Sequence, residues 1–381
     1  MSGLKHVYIL GAGFSMPLGG PSFNQLISMR EDDFVRSHCH PAEMQNPSQD
    51  LISRMNELVG DIWESLGRTP DRAGNFLDVN IEETLEILDY CEEKPNSTTA
   101  RTLIKRIFLC PVPAKEGFSE LNRILRVRLA MSTLLFLEII PDNSERWSPY
   151  TRWFGGLTKD DTILTFNYDN VVERAAELAG RAYYQALKTS RPQEIMSSDL
   201  NPDLLKLHGS ATWVTSRELK NACLDDIECR EFDWPRMIED TKLKVMIGTP
   251  GLTKSRYAAK FLEPIWTKAK EAIAGADLVS IIGYSMPPTD TEANGMILDH
   301  LAANKNPHLA VDIVLGPSSR SDTANRMQQI ISQVMGREYV DGSGRLFSRS
   351  NRIKVRPMYS QDYLAMKQPK NVEEVWDRRC D

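Results

Sequence analysis

The chain has 381 residues, enough for one large domain or two modest ones at roughly 150 residues each. Its 41% hydrophobic and 26% charged residues exclude long disorder, collagen-like repetition and a supercharged surface. A formal net charge of -6, from 46 basic and 52 acidic side chains, denies it the positive field that non-specific nucleic-acid binding needs, so no direct nucleic-acid contact is expected.

In chain order, the first strand runs from Val7 to Leu10 and passes straight into Gly11-Ala12-Gly13-Phe14-Ser15. Glycines at a strand-to-helix turn let backbone amides approach a pyrophosphate. Met16 replaces the third glycine of the usual dinucleotide fingerprint, so the turn alone does not define a dehydrogenase. Glu31-Asp32-Asp33 sits near the distance at which such enzymes grip a ribose, but no clear second strand precedes it and it reads as a solvated helix end.

From about Asp50 to Arg152 the apolar residues recur at helical spacing, as in Ile81, Leu85 and Leu88, or Leu121, Leu125, Leu129 and Leu134. Strands flank this interval, so it is read as an all-helical insertion (50–152) in an α/β domain formed by 1–49 and 153–360. Further strands are expected at Thr162–Phe166, Leu204–Leu207, Leu243–Ile247, Leu278–Ile282, Val311–Leu315 and Ile353–Val355. Helices are expected at Asn170–Leu178, Tyr257–Ile273, Thr291–Ala303 and Ser321–Met335, with a closing helix Gln361–Lys367 in a C-terminal segment 361–381. The alternation predicts a doubly wound, mostly parallel sheet with helices on both faces.

The longest mainly apolar stretch, Leu129–Ile140, is broken by Ser132, Thr133 and Glu138 and falls short of the roughly 20 residues that span a bilayer. The run Val7–Leu10 ends in glycines, against a secretory signal. Cysteines 39, 91, 110, 223, 229 and 380 are scattered and expected to be reduced thiols. A cytoplasmic location is expected.

The segment from Gly11 through Ser15, Gly19 and Pro21 to Phe23 resembles the opening cofactor loop of the sirtuins. Thr165-Phe166-Asn167-Tyr168-Asp169, Leu207-His208-Gly209 and Gly283-Tyr284-Ser285 then follow at strand ends in sirtuin order. The resemblance implies a Rossmann-like, sirtuin-type fold and a catalytic pair, Asn167 to hold the water or hydroxyl that meets the nicotinamide ribose and His208 as base. An imidazole suits that role because its ordinary pKa of about 6.5 lets it accept a proton at cellular pH. It implies cofactor contacts from Gly11, Ala12, Gly13, Ser15, Phe23, Asp169, Gly283, Tyr284 and Ser285. Each also has an ordinary structural role open to it: an Asn or Asp at a strand end can cap the next helix, and a histidine can be simple core.

The chain also departs from deacylating sirtuins. Two CxxC pairs hold structural zinc in that family, whereas here only Cys223 and Cys229 stand near each other and His38-Cys39-His40 reads as a solvated loop. No metal is expected. A helical insertion in place of a zinc module, with the segment Ile281 to Asp290, is similar to the sirtuin-like effectors of prokaryotic antiphage defence. That implies NAD+ as substrate, hydrolysed to nicotinamide and ADP-ribose. An NAD or ADP-ribose sensor without chemistry, and a protein deacylase, stay open as alternatives. The same resemblance implies a homo-oligomer and a HerA-like ring ATPase as partner, with control exerted through assembly. The apolar residues Leu134, Leu135, Phe136, Ile139 and Ile140 would supply the contact, or else belong to the core of the insertion.

Overall fold

The structure, a computed structural model, describes residues 3–21, 81–107, 114–183, 188–189, 201–217, 222–230, 237, 240–248, 254–317, 322–336, 338–340, 346–348, 352–366 and 374. Its strands are β1 (His6–Leu10), β2 (Thr162–Thr165), β3 (Lys188–Thr189), β4 (Asp203–Lys206), β5 (Gly209–Thr215), β6 (Glu228–Cys229), β7 (Lys244–Ile247), β8 (Leu278–Ile282), β9 (Ala310–Leu315), β10 (Glu338–Val340), β11 (Leu346–Ser348) and β12 (Ile353–Pro357). The helices are α1 (Ile81–Glu93), α2 (Thr98–Ile107), α3 (Ala114–Ile139), α4 (Ser148–Gly155), α5 (Val171–Leu178), α6 (Lys254–Ala274), α7 (Thr291–Ala303), α8 (Asp322–Met335) and α9 (Ser360–Ala365).

Six strands form a central sheet in the order β12-β9-β8-β1-β2-β4, and every adjacent pair is parallel. Numbered by position in the chain, this is the 3-2-1-4-5-6 order of the Rossmann type of doubly wound sheet. Side chains alternate between its faces. Val7, Ile9, Val279, Ile281, Val311 and Ile313 cluster with apolar residues of α6, α7 and α8, among them Leu262, Ile297 and Ile331. Tyr8, Leu10, Ile163, Leu204, Ile282 and Val314 cluster with Trp153 and Phe154 of α4, Val172 of α5 and Tyr363 of α9. Both faces are covered, which is why these strands read as short, almost unbroken apolar runs.

A second sheet, ordered β3-β6-β5-β7, was not anticipated. Leu243–Ile247, expected in the parallel sheet, instead supplies β7 and pairs antiparallel with β5. Gly209 makes this possible: its φ is +76°, and a Cβ there would lie 2.0 Å from the Met246 carbonyl oxygen. The chain therefore turns sharply after β4 and runs back as β5. Helix α3 packs on this sheet and α1 and α2 pack on α3, so that Leu85, Leu88, Phe118 and Leu125 share one apolar cluster with Ala211, Val214, Val245 and Ile247. Among the described residues no helix is long and apolar enough to cross a membrane.

One buried carboxylate ahead of β2 makes stability depend on pH. Asp161 is 8% exposed and accepts hydrogen bonds from the Thr158 amide (2.6 Å) and hydroxyl (3.0 Å), yet burial dominates and pushes its pKa up to about 6. Between its ordinary value and that one the folded chain binds a proton that the unfolded chain does not. The contribution is therefore complete below about pH 3.8 and is lost as pH rises through 6, about 3 kcal/mol for a shift of this size. Asp161→Asn should flatten the fall in thermal stability between pH 5 and 7 relative to the parent chain. Parallel melting curves for the two proteins across that range would contradict the assignment.

Candidate active site at the carboxyl edge of the sheet

Strands β1, β2, β4 and β8 all end on one edge of the sheet, and β2 and β8 leave β1 on opposite sides. Loops diverge at such a switch point and leave a crevice beyond the strand ends, where open α/β sheets take ligands. The structure brings to this edge Gly11, Ala12, Gly13, Ser15, Asn167, Asp169, His208, Gly283, Tyr284 and Ser285. Phe23 lies outside the described residues, as do Glu31-Asp32-Asp33 and His38-Cys39-His40.

The turns after β1 and β8 touch through bare backbone. The Gly11 amide donates to the Ile282 carbonyl and the Gly13 amide to the Gly283 carbonyl, each at 3.0 Å. A Cβ on Gly13 would lie 2.7 Å from the Gly283 Cα, and one on Gly283, whose φ is +66°, 2.3 Å from the Phe14 nitrogen. Phe14 and Ser15 donate back to Gly11 and Ala12 in tight 3₁₀ turns. Four of the five amides from Gly11 to Ser15 are thus spent inside the protein, and that of the exposed Ala12 has no partner among the described residues. The Phe14 carbonyl accepts from the Tyr150 and Ser360 hydroxyls, both at 2.9 Å, which fastens the turn to α4 and α9.

Asn167 is anchored on this turn. Its side-chain Nδ2 donates to the Gly11 carbonyl (3.0 Å) and to Ser15 Oγ (3.2 Å), which fixes the amide plane. Its Oδ1 accepts nothing among the described residues, and the side chain is only half-buried, so a hydrogen-bond acceptor is held ready at the crevice.

Ser15 Oγ donates in turn to Asp169 Oδ2 at 2.6 Å, while Asp169 Oδ1 accepts from the Val171 amide at 3.1 Å, at the start of α5. Asp169 therefore holds the first amide of the following helix, one residue ahead of its cap position, while closing the Asn167–Ser15–Asp169 chain. Burial pushes its carboxyl above the usual range, opposed by the Ser15 hydroxyl, the Lys206 ammonium and the Val171 amide. Lys206 is fully buried, and Nζ donates to the Asp169 carbonyl (2.7 Å), Asn170 Oδ1 (3.0 Å) and Glu173 Oε1 (2.7 Å). A buried ammonium needs such partners, and here they lock the loop after β2.

His208 forms the other half of the site. It is 3% exposed, with its ring edge-on to Phe166 at 4.8 Å and Nε2 3.5 Å from Asp290 Oδ2. Tyr284 stacks on the opposite partner of this group, Phe166, at 4.5 Å and 23°, and its hydroxyl donates to Asp290 Oδ2 at 3.0 Å. The Tyr284 phenol is thus committed inside the protein, while Ser285 is exposed. The next residue, Met286, holds a φ of 49°, a strained conformation for a side chain of its size. Arg326 grips the Ser285 and Met286 carbonyls at 3.0 and 3.1 Å.

The helices between β1 and β2 reach this half of the site. Arg126 of α3 forms a buried pair with Asp89 of α1 at 3.0 Å and donates to the Ile247 carbonyl. The next amide, Gly248, donates to the His208 carbonyl at 2.7 Å, and the Gly248 carbonyl accepts from the Tyr168 hydroxyl at 3.0 Å. By contrast, Leu134, Phe136 and Ile140 are buried within the chain's own core, and the side chains of Leu135 and Ile139 lie outside the described residues. Among the described residues no group of three or more His, Cys, Asp or Glu side chains is placed to hold a metal.

Residues 161–333, less than half of the chain, resemble a known domain family. They match the family model described as "SIR2-like domain", a span that contains Asn167, Asp169, His208 and Gly283–Ser285 and begins after the Gly11–Ser15 turn. Among solved structures, one described as "Structural Basis for the Mechanism and Regulation of Sir2 Enzymes" aligns over 87% of this chain and 92% of that chain, at 14% identity and a TM-score of 0.25. The chain matches no curated protein.

Sequence reasoning missed Lys206 and Asp290. The signals were present: a lysine inside an otherwise apolar strand, and an aspartate immediately ahead of a helix after two prolines.

The backbone contact between the two turns yields a stability prediction. Gly283→Ala places a side chain in a left-handed conformation and against the Phe14 nitrogen, and should cost about 2 kcal/mol or more. Gly295→Ala, inside α7 with nothing within 4 Å of the new Cβ, should be neutral or stabilise by up to about 1 kcal/mol. Urea unfolding of both variants checks this, and equal midpoints would contradict the close approach.

Proposed function

We propose that the chain is an NAD+ glycohydrolase, and that it serves as an NAD-depleting effector in antiphage defence. The observation that carries the reading is Asn167, whose amide is pinned by Gly11 and Ser15 so that Oδ1 is left as an acceptor. The SIR2-like match over 161–333 supports NAD-dependent chemistry, and the glycine-built turn after β1 suits a pyrophosphate in close approach.

In the proposed reaction the bond between the nicotinamide nitrogen and the ribose carbon breaks, its electron pair leaving with nicotinamide. Positive charge develops on the ribose ring, and water, oriented by Asn167 Oδ1, adds to the same carbon. His208 takes the proton that the water gives up, and the products are nicotinamide, ADP-ribose and that proton. Nicotinamide leaves from a cationic ring, so the site supplies chiefly positioning and polarisation. Asp169, above its ordinary pKa and tied to Ser15, keeps the Asn167 anchor in place. Assembly with itself and with a HerA-like ring ATPase belongs to the same proposal and rests on the sequence resemblance. Light scattering of the chain alone and with such an ATPase tests it, a stable lone monomer counting against it.

Incubation of the purified chain with NAD+, with and without an acylated peptide, tests the chemistry. Nicotinamide should be released without peptide, and Asn167→Ala and His208→Ala should each lower the rate by about 100-fold or more in chains that circular dichroism shows to be folded. Release that requires the peptide would make the protein a deacylase, and tight binding without release would make it a sensor.

A further inference from the structure

An aspartate directly ahead of a helix ordinarily accepts hydrogen bonds from the first-turn amides. Asp290 stands ahead of α7, and its side chain makes no such bond. The carboxylate is turned inward instead, 3% exposed, with Oδ2 3.0 Å from the Tyr284 hydroxyl and 3.5 Å from His208 Nε2. A buried carboxylate that forgoes the cap needs compensation from the groups it faces, and a phenol and the imidazole of the candidate base are among those groups.

The surroundings hold this arrangement in place. The Tyr284 hydroxyl also reaches Asn294 Oδ1 at 3.2 Å, and Asn294 Nδ2 is tied to the Pro287 carbonyl at 2.7 Å, which settles the orientation of that amide. Phe166 lies between the two partners, stacked on Tyr284 and edge-on to His208. The titratable groups seen against the imidazole are Asp290 ahead of α7, Tyr284 after β8, which meets the same carboxylate, and Tyr168 after β2, with its ring 6.2 Å away and its hydroxyl on Gly248.

We propose that Asp290 is the positioning residue for His208: its carboxylate fixes the imidazole and stabilises the charge that the ring acquires on accepting a proton from the attacking water. The role rests on the glycohydrolase reading. In that step an O–H bond of water breaks, an N–H bond forms on His208, and the new imidazolium lies beside a carboxylate already in place. A neighbouring carboxylate favours the charged ring and restricts which nitrogen carries the proton.

Nitrogen-15 NMR of the histidine-labelled full chain, without NAD+, reads the imidazole directly, with His208 assigned by the signal lost in His208→Gln. Asp290→Asn should lower the titration midpoint of His208 by about one pH unit. In nicotinamide-release assays it should lower kcat about tenfold or more with KM little changed, and Asp290→Glu should restore part of the rate. If Asp290→Asn fails to fold, Tyr284→Phe keeps the test, since freeing the carboxylate from the phenol should raise the midpoint. An unmoved midpoint in an active enzyme would overturn the positioning role and leave the reaction standing. A midpoint that moves in a protein releasing no nicotinamide would overturn the reaction and leave the pairing.

Discussion

Two backbone turns meet without side chains between them, and the geometry of the site follows from that contact. Because Gly11 and Gly13 lie directly on Gly283 and Tyr284, the ends of β1 and β8 are drawn together at the point where the sheet order reverses. The Gly11 carbonyl then stands where Asn167 can use it, and Ser15 falls between Asn167 and Asp169. On the far side, the path of the chain past Gly283 delivers Tyr284 to Phe166 and Asp290. A methyl group at any of the three glycines would have to push apart backbone, which has no flexible end to yield.

The crevice therefore has two walls of different chemistry. One is a chain of neutral and anionic hydrogen bonds, from Gly11 through Asn167 and Ser15 to Asp169, backed by the buried Lys206. The other is aromatic and titratable, with His208, Phe166, Tyr284 and Asp290 packed together. A positioned acceptor on one wall and a proton acceptor on the other suit a reaction in which positive charge grows on a sugar carbon while water loses a proton. The helices between β1 and β2 support the second wall through Arg126, Ile247 and Gly248, so they act on His208 through its backbone.

Much of this arrangement was legible in the sequence because burial on both faces leaves parallel strands as apolar runs bounded by glycine. The runs at Val7, Thr162, Leu204, Leu278, Val311 and Ile353 all became strands of the central sheet, and the motifs that end them fell on one edge. The second sheet was not legible. β5 reads Gly-Ser-Ala-Thr-Trp-Val-Thr, buried throughout, and polar residues such as Ser210 and Thr212 sit inside it because they bond each other and Asn170. Such a strand shows neither alternation nor an apolar run. Leu243–Ile247, by contrast, is a short and mostly apolar run like those of the central sheet, and so looked like one more parallel strand. The pairing of Asp290 with His208 joins residues 82 positions apart in the sequence, and only the fold brings them together. Nor could the sequence show that the turn spends two amides on itself and two on the end of β8, which leaves the Ala12 amide without a partner among the described residues.

The central claim is that this crevice holds NAD+ with its nicotinamide ribose between the two walls. A crystal structure of the His208→Ala chain grown with NAD+ tests it most directly, since the substrate should persist when the base is missing. The account predicts the pyrophosphate against Ala12 and the Gly11–Ser15 turn, with the nicotinamide ribose beside Asn167 Oδ1. A dinucleotide bound elsewhere on the molecule, or bound here with its nicotinamide ribose away from Asn167, would contradict it.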